Sequence, residues 1–366
     1  RKLFDADGFV RRAAADALGR HPQPGNVPLL LRLWSETDRK DTYLIHTIRM
    51  ALRDQLARDE IFRKYARFDG DADRRRRLLD VLLGLPKAHA AEFVLTALRI
   101  GQYDPTRLDE FIRFATRHAS ADLLEAVSDY VLTWQKADPQ LQMLVFRSYG
   151  EALAERGARF SPPMVAWAEK LAGRLLESSD PADRLEGVQL AESLRLRPLY
   201  EPVARIAADR EEEPHQRVAA VQACVGIADP RCVELIDGIL RNRDDSLTLR
   251  RAGARALWNI SGDESRQVFY THLVTAHHRL AITLAAGLAR SQAGAEMLLD
   301  SIAEGKASPL LLRELRVLAA LNVTKVPDLA NRIAGLTENL PPADEMTAQE
   351  IAERRQAYLA SKPAVD

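Results

Sequence analysis

Residues 11–19 read RRAAADALG, and two later stretches repeat their grammar: RVAAVQACVG at 217–226 and RRAGARALWN at 250–259. All three run arginine, any residue, alanine, alanine or glycine, alanine or valine, a polar residue, alanine, then leucine or cysteine. The register recurs more loosely at Arg184 (RLEGVQLA), Arg279 (RLAITLAA) and Arg313 (RELRVLAA). From Arg184 onward these arginines therefore keep a period of roughly 33 residues, within the range of helical repeats. Toward the N-terminus, LIHTIRMA begins at Leu44, one such period after Arg11, and RRRLLDVL follows at Arg75, close to one period further on. Self-similarity at such a period with helical composition marks an α-solenoid, in which one helical hairpin repeats along a line.

Each period is legible as two antiparallel helices. In 230–259, Pro230 suits a helix start, where its missing N–H is no loss. Val233, Ile236 and Leu240 then recur at helical spacing as one apolar stripe. NRDDS at 242–246 breaks that helix, and Asp245 or Ser246 caps the next. The second helix is read as burying Leu249, Ala252, Ala256 and Leu257, its alanines admitting the neighbouring helix closely. A lone hairpin leaves apolar faces uncovered, so stability must come from stacking. The fold class this predicts is all-α, an α-α superhelix of about ten helical hairpins over residues 1–340. Its repeats are irregular over about 100–178, where the register blurs, and residues 341–366 form a C-terminal linker helix.

Composition agrees with helix-on-helix packing. Hydrophobic residues make up 46% of the chain but aromatics only 6%, so small apolar side chains must fill most of the core. Basic and acidic residues both number 52, and this balance argues against a dedicated nucleic-acid binder, which carries a basic excess. Cys224 and Cys232 stand in a C-x7-C spacing that suits neither a zinc knuckle nor a redox pair, and Cys224 falls on an apolar stripe. His272, His277 and His278 lack the i, i+4 spacing and the completing carboxylate or thiol of a metal set. The run Arg74–Arg77 follows Asp71 and Asp73, and consecutive residues point around a helix, which reads as a solvated turn. There is no glycine-rich phosphate loop, no Gly-x-Ser-x-Gly and no Cys-x-x-Cys-His. The sequence therefore yields no catalytic, cofactor-binding or metal residue for this chain.

The stretch Asp7-Gly8-Phe9-Val10-Arg11-Arg12-Ala13-Ala14-Ala15-Asp16-Ala17-Leu18-Gly19 resembles the second helix of a HEAT repeat of the PBS-lyase-like kind, within the HEAT/armadillo class of solenoids. The units at 184, 217 and 250 match that pattern in part, and those at 279 and 313 more distantly. The resemblance implies that Arg11, Arg217 and Arg250 form a structural ladder, bonding helix-end carbonyls or a neighbour's capping aspartate. It also implies that second helices line one surface, with Arg12, Asp16, Gln216, Gln222, Arg251, Arg255 and Trp258 facing outward. Of these, Arg251, Arg255 and Trp258 form the candidate partner-binding set, because exposed Trp and Arg are the residues most enriched at binding hot spots.

The tail LTENLPPADEMTAQEIAERRQAYLASKPAVD, residues 336–366, departs from the repeat. Pro341-Pro342 closes the array, and Thr347 caps one further helix running through Tyr358. An ending of the form AERRxxYLxSKP resembles the connector of planctomycete-type multidomain proteins, where HEAT repeats precede a c-type cytochrome domain. Such proteins are described as membrane-bound dehydrogenases or haem-binding proteins. With the chain opening on Arg1 in mid-pattern, the expectation is a fragment whose c-type haem lies in a downstream domain. The resulting functional expectation is a non-catalytic scaffold in a periplasmic or extracytoplasmic protein, with neighbouring domains or another protein as partner. It has no nucleic-acid ligand and no membrane span. The alternatives are a generic peptide-binding solenoid and a HEAT-like enzyme of the DNA glycosylase or bilin lyase type.

Overall fold

The computed structural model describes residues 2–66, 71–341 and 352–358. Thr347 and the Ser-Lys-Pro of the tail lie outside the described residues, while 352–358 are helical. The described residues contain no strand: the protein is an all-α solenoid built from neighbouring helices. The chain divides into two compact units, Arg1–Leu171 and Ala172–Asp366. Helices α1 (Gly8–Arg20), α2 (Asn26–Glu36), α3 (Thr42–Leu56), α4 (Asp59–Tyr65) and α5 (Ala72–Leu82) open the first unit. They are followed by α6 (Ala88–Arg99), α7 (Leu108–His118), α8 (Ala121–Leu132) and α9 (Pro139–Glu155), and the division falls within α10 (Pro162–Leu176). The second unit continues with α11 (Pro181–Ser193), α12 (Tyr200–Ala208), α13 (Pro214–Gly226), α14 (Cys232–Arg241) and α15 (Leu247–Ala256). It ends with α16 (Asp263–Leu273), α17 (His278–Leu288), α18 (Gln292–Ala303), α19 (Leu315–Asn322) and α20 (Leu329–Thr337).

Within the second unit the odd helices α11, α13, α15, α17 and α19 pack one on the next as a layer. The even helices α12, α14, α16, α18 and α20 form a second layer, and each hairpin joins the two. The first unit follows the same logic where its repeat is clear, with α3 against α1, α2 and α5, and α7 against α6 and α9. Many helix starts are set by side chains the sequence supplies. Asp7, Asp41, Asp71, Asp138 and Asp180 each accept a backbone N–H of the helix they precede, as do Ser120, Ser246 and Ser291. Each such cap satisfies an orphan donor and is worth about 1 kcal/mol. Of the two candidates at 245–246, Ser246 is the cap of α15.

The odd layer is held together by small residues. Ala220, Ala223, Ala254 and Ala285 have no exposed surface, and Leu249 and Leu257 are buried with them. Ala252 is half-buried, contrary to the expectation from the sequence; Gly253 and Ala254, one and two positions on, take its place in the core. At Gly187 of α11 the neighbouring helix comes close on backbone: an added Cβ would lie 2.9 Å from the Leu176 nitrogen and 3.1 Å from the Ala172 carbonyl oxygen. That helix surface admits no side chain.

Helix ends follow the same economy. Gly101, Gly157 and Gly305 leave α6, α9 and α18 in the left-handed conformation, with φ of 69°, 68° and 71°. Arg195 (φ 52°) and Ala228 (φ 60°) do so after α11 and α13 without being glycine. A Cβ in that conformation is disfavoured by roughly 1–2 kcal/mol, partly offset by the chain entropy a glycine would lose. Two substitutions should therefore shift the urea midpoint in opposite directions. Gly187→Ala is expected to destabilise by about 1–3 kcal/mol through overpacking, and Ala228→Gly to stabilise by about 0.5–1 kcal/mol. A neutral Gly187→Ala would show that α10 and α11 separate freely.

Candidate functional site

The repeated arginines face inward along the chain, each toward the segment before its own helix. Arg217 donates through Nε to the Ala207 carbonyl at 3.0 Å and through Nη1 to Asp245 Oδ1 at 2.8 Å. Both side chains are buried, and Asn242 Nδ2 donates to the other Asp245 oxygen at 3.1 Å. Arg250 repeats the first contact on its own preceding helix, with Nε and Nη2 on the Leu240 carbonyl at 3.2 and 3.1 Å. Arg11 Nη1 takes the Asp5 and Ala6 carbonyls at 2.9 and 3.0 Å. Two arginines outside the predicted set also hold backbone carbonyls near helix ends. Arg184 holds the Ser178 and Ser179 carbonyls and pairs with Glu212, while Arg156 Nη1 holds the Thr116 and Ala119 carbonyls at 2.6 and 2.8 Å. Carbonyls at helix ends lack intrahelical donors, and a cation there also meets the negative end of the helix dipole.

Arg251, Arg255 and Trp258 occupy one face of α15 and the short turn that follows it. Trp258 is half-buried, and its Nε1–H donates to the Thr283 carbonyl at 3.2 Å. An added Cβ at Gly287 would come within 2.6 Å of that nitrogen and 2.7 Å of the Phe269 ring, so the indole packs where α17 has no side chain. Arg290 places its guanidinium 5.6 Å from the Trp258 ring centroid, a cation–π geometry. Arg251 is half-buried with Nε 3.4 Å from Thr283 Oγ1, and Arg255 is exposed. The repeat register places Gln216 outward; the structure instead buries it. Its Nε2 donates to the Pro181 carbonyl at 2.5 Å, because the first turn of α13 abuts the start of α11, and its Oε1 is buried with no hydrogen-bond partner.

Two cavities adjoin on this part of the second unit. A groove of about 1020 Å³ runs between Glu192 and Arg195 at the end of α11 and Glu264 in α16, past Val218, Gln222, Thr248 and Ala252. A second cavity of about 640 Å³ surrounds Trp258 and is lined by Arg255, Arg290 and Arg316 together with small apolar residues. Arg255 lines both. Arg290 and Arg316 carry no mark in the sequence; only the stacking of α15, α17 and α19 gathers them.

The other chemically suggestive residues go elsewhere. His272 is buried with Nε2 2.7 Å from Asp237, whereas His278 lies 3.5 Å from Glu314 and His277 precedes α17. Among the described residues no three His, Cys, Asp or Glu side chains gather as metal ligands. Burial pushes the Cys224 thiol up to about 12 and raises that of Cys232 as well, which keeps both in the unreactive thiol form. The unfolded thiol ionises first as pH rises through 9, so the stabilisation from burying Cys224 is complete below that pH and is lost above it. Among the described residues no helix is long and apolar enough to cross a membrane. No protein-family model matches this chain, and no curated protein matches it.

The buried clasp yields a test. Asp245→Ala leaves the Arg217 guanidinium buried without its counter-charge and should destabilise by about 3–5 kcal/mol, while Arg217→Met with Asp245→Leu should recover most of that loss. Equal stability of Asp245→Ala and wild type in urea unfolding would remove the pair from the list of structural determinants.

Proposed function

We propose that this chain is a non-catalytic scaffold, a HEAT-repeat solenoid that holds a polypeptide segment on the surface of its second helices. The observation that carries this reading is the groove of about 1020 Å³ along α13 and α15. Its walls alternate apolar surface from Val218 and Ala252 with the exposed Gln222 and Arg255, and carboxylates from Glu192, Asp229 and Glu264 line it as well. A peptide backbone with side chains of both signs matches such a lining. A nucleic-acid backbone is repelled by the three carboxylates, which weighs against the glycosylase alternative. The HEAT assignment rests on the Asp7–Gly19 pattern and on arginines that hold helix-end carbonyls at equivalent positions.

The setting we infer is a multidomain periplasmic or extracytoplasmic protein, in which the solenoid stands between a dehydrogenase-type domain and a c-type cytochrome. The sequence AERRQAYLASKP at 352–363 supports it. This is checked in the gene: a Cys-x-x-Cys-His motif encoded beyond Asp366 is expected, and an open reading frame without one would overturn the setting while leaving the scaffold.

The scaffold itself is tested by peptide display against the intact chain. Selected peptides should slow hydrogen exchange in α13 and α15, and Ala252→Trp, which fills the groove from a half-exposed position, should abolish their binding at unchanged helicity. Protection confined to other helices, or binding indifferent to Ala252→Trp, would refute the groove as the docking surface.

A further inference from the structure

The cavity around Trp258 differs from the groove beside it. Three guanidiniums line it, from Arg255, Arg290 and Arg316, and no carboxylate is among its lining residues. By contrast, four arginines of the second unit are paired with carboxylates: Arg184 with Glu212, Arg217 with Asp245, Arg231 with Asp229 and Arg332 with Asp300. In a chain whose charges sum to zero, this is a local excess of positive charge left open. The remaining wall is apolar, made by the Trp258 ring, Ala286, Ala319 and Val323, and Val323 is 79% exposed. An exposed valine beside a half-buried tryptophan is a surface that water solvates poorly.

The tryptophan is also preset. Its N–H is held by the Thr283 carbonyl, the missing side chain at Gly287 fixes how closely it lies to α17, and the Arg290 guanidinium sits 5.6 Å from its ring centroid. A ligand that packs there pays no ordering of the ring, which is how a rigid aromatic becomes an anchor point.

We infer that this cavity is the anchor site for an acidic peptide segment, one or more Asp or Glu carboxylates flanking an apolar side chain that packs on Trp258. The inference deepens the scaffold reading and rests on it. Guanidinium and carboxylate pair in a forked, two-bond geometry that an apolar surround strengthens. Arg255 faces both cavities, so a chain anchored at Trp258 continues into the mixed-charge groove past Gln222. A free phosphate leaves the apolar wall uncovered. A single-stranded nucleic acid stacks on tryptophan but meets Glu264 and Glu192 as it leaves the pocket.

The experiment measures fluorescence anisotropy of the labelled peptide Gly-Ser-Glu-Phe-Glu-Asp-Gly-Ser with the full chain. Its Gln/Asn isostere and a thymidylate ten-mer serve as competing probes. The acidic peptide is expected to bind at least about tenfold more tightly than the isostere, and less tightly as salt rises. Arg316→Glu and Arg255→Glu, both at exposed positions, should each weaken it by at least about tenfold, and Trp258→Ala should weaken the isostere as well. Arg279→Glu, exposed and outside the cavity, should change nothing. Equal affinity for the isostere, or retention in both Arg→Glu variants, overturns the acidic anchor; so does tighter binding of the oligonucleotide. If the acidic peptide fails while displayed peptides still bind in a manner abolished by Ala252→Trp, this inference falls and the scaffold stands. If no peptide of any charge binds, both fall.

Discussion

The guanidinium of Arg217 ties three segments at one point: the end of α12 through the Ala207 carbonyl, α13 from which it projects, and the turn before α15 through Asp245. Repeat arrays have contacts only between neighbours, so whatever fixes the junction of one hairpin to the next fixes the array. Apolar stacking supplies most of the energy but little direction. A buried arginine with defined acceptors supplies direction, since its charge is tolerable only when every partner is in place. Arg184 and Arg250 make related contacts one period before and after, each on backbone oxygens at the end of the preceding segment.

Between these junctions, the two units fill their cores differently. In the second unit alanine and glycine let helices close in on backbone, as Gly187 does against α10. In the first unit, α9 and its surroundings use aromatic rings instead. Phe146 stacks on Phe160 at 4.8 Å and meets the edge of Trp167 at 5.4 Å, while the Trp167 N–H donates to Gln142. Rings of that size hold helices further apart and impose their own geometry. The arginine-and-alanine register blurs over 100–178 because the packing there no longer depends on it.

That contrast sets what is legible in the sequence. Helical class, hairpin order, caps such as Ser246 and the inward role of the repeated arginines follow from short-range chemistry, and residues 11–19, 217–226 and 250–259 display it. Facing is harder. Gln216 is polar and sits at a nominally outward position, yet the first turn of α13 abuts α11 and covers it. Ala252 has the size of a core residue, but Gly253 and Ala254 are the ones turned inward, a small rotation of the helix that composition cannot signal. The Trp258 cavity is half visible. Arg255 and Trp258 share a helix face, whereas Arg290 and Arg316 arrive from α17 and α19 at distances along the chain that only stacking relates.

Arg195 and Ala228 stand one repeat period apart, each two places beyond the end of its helix and each with positive φ. The segment from Leu196 to Ala228 is thus one period long, preceded by a residue with positive φ and ending in one. Excising it would join Arg195 to Asp229 with the left-handed turn, the helix before it and the helix after it all preserved.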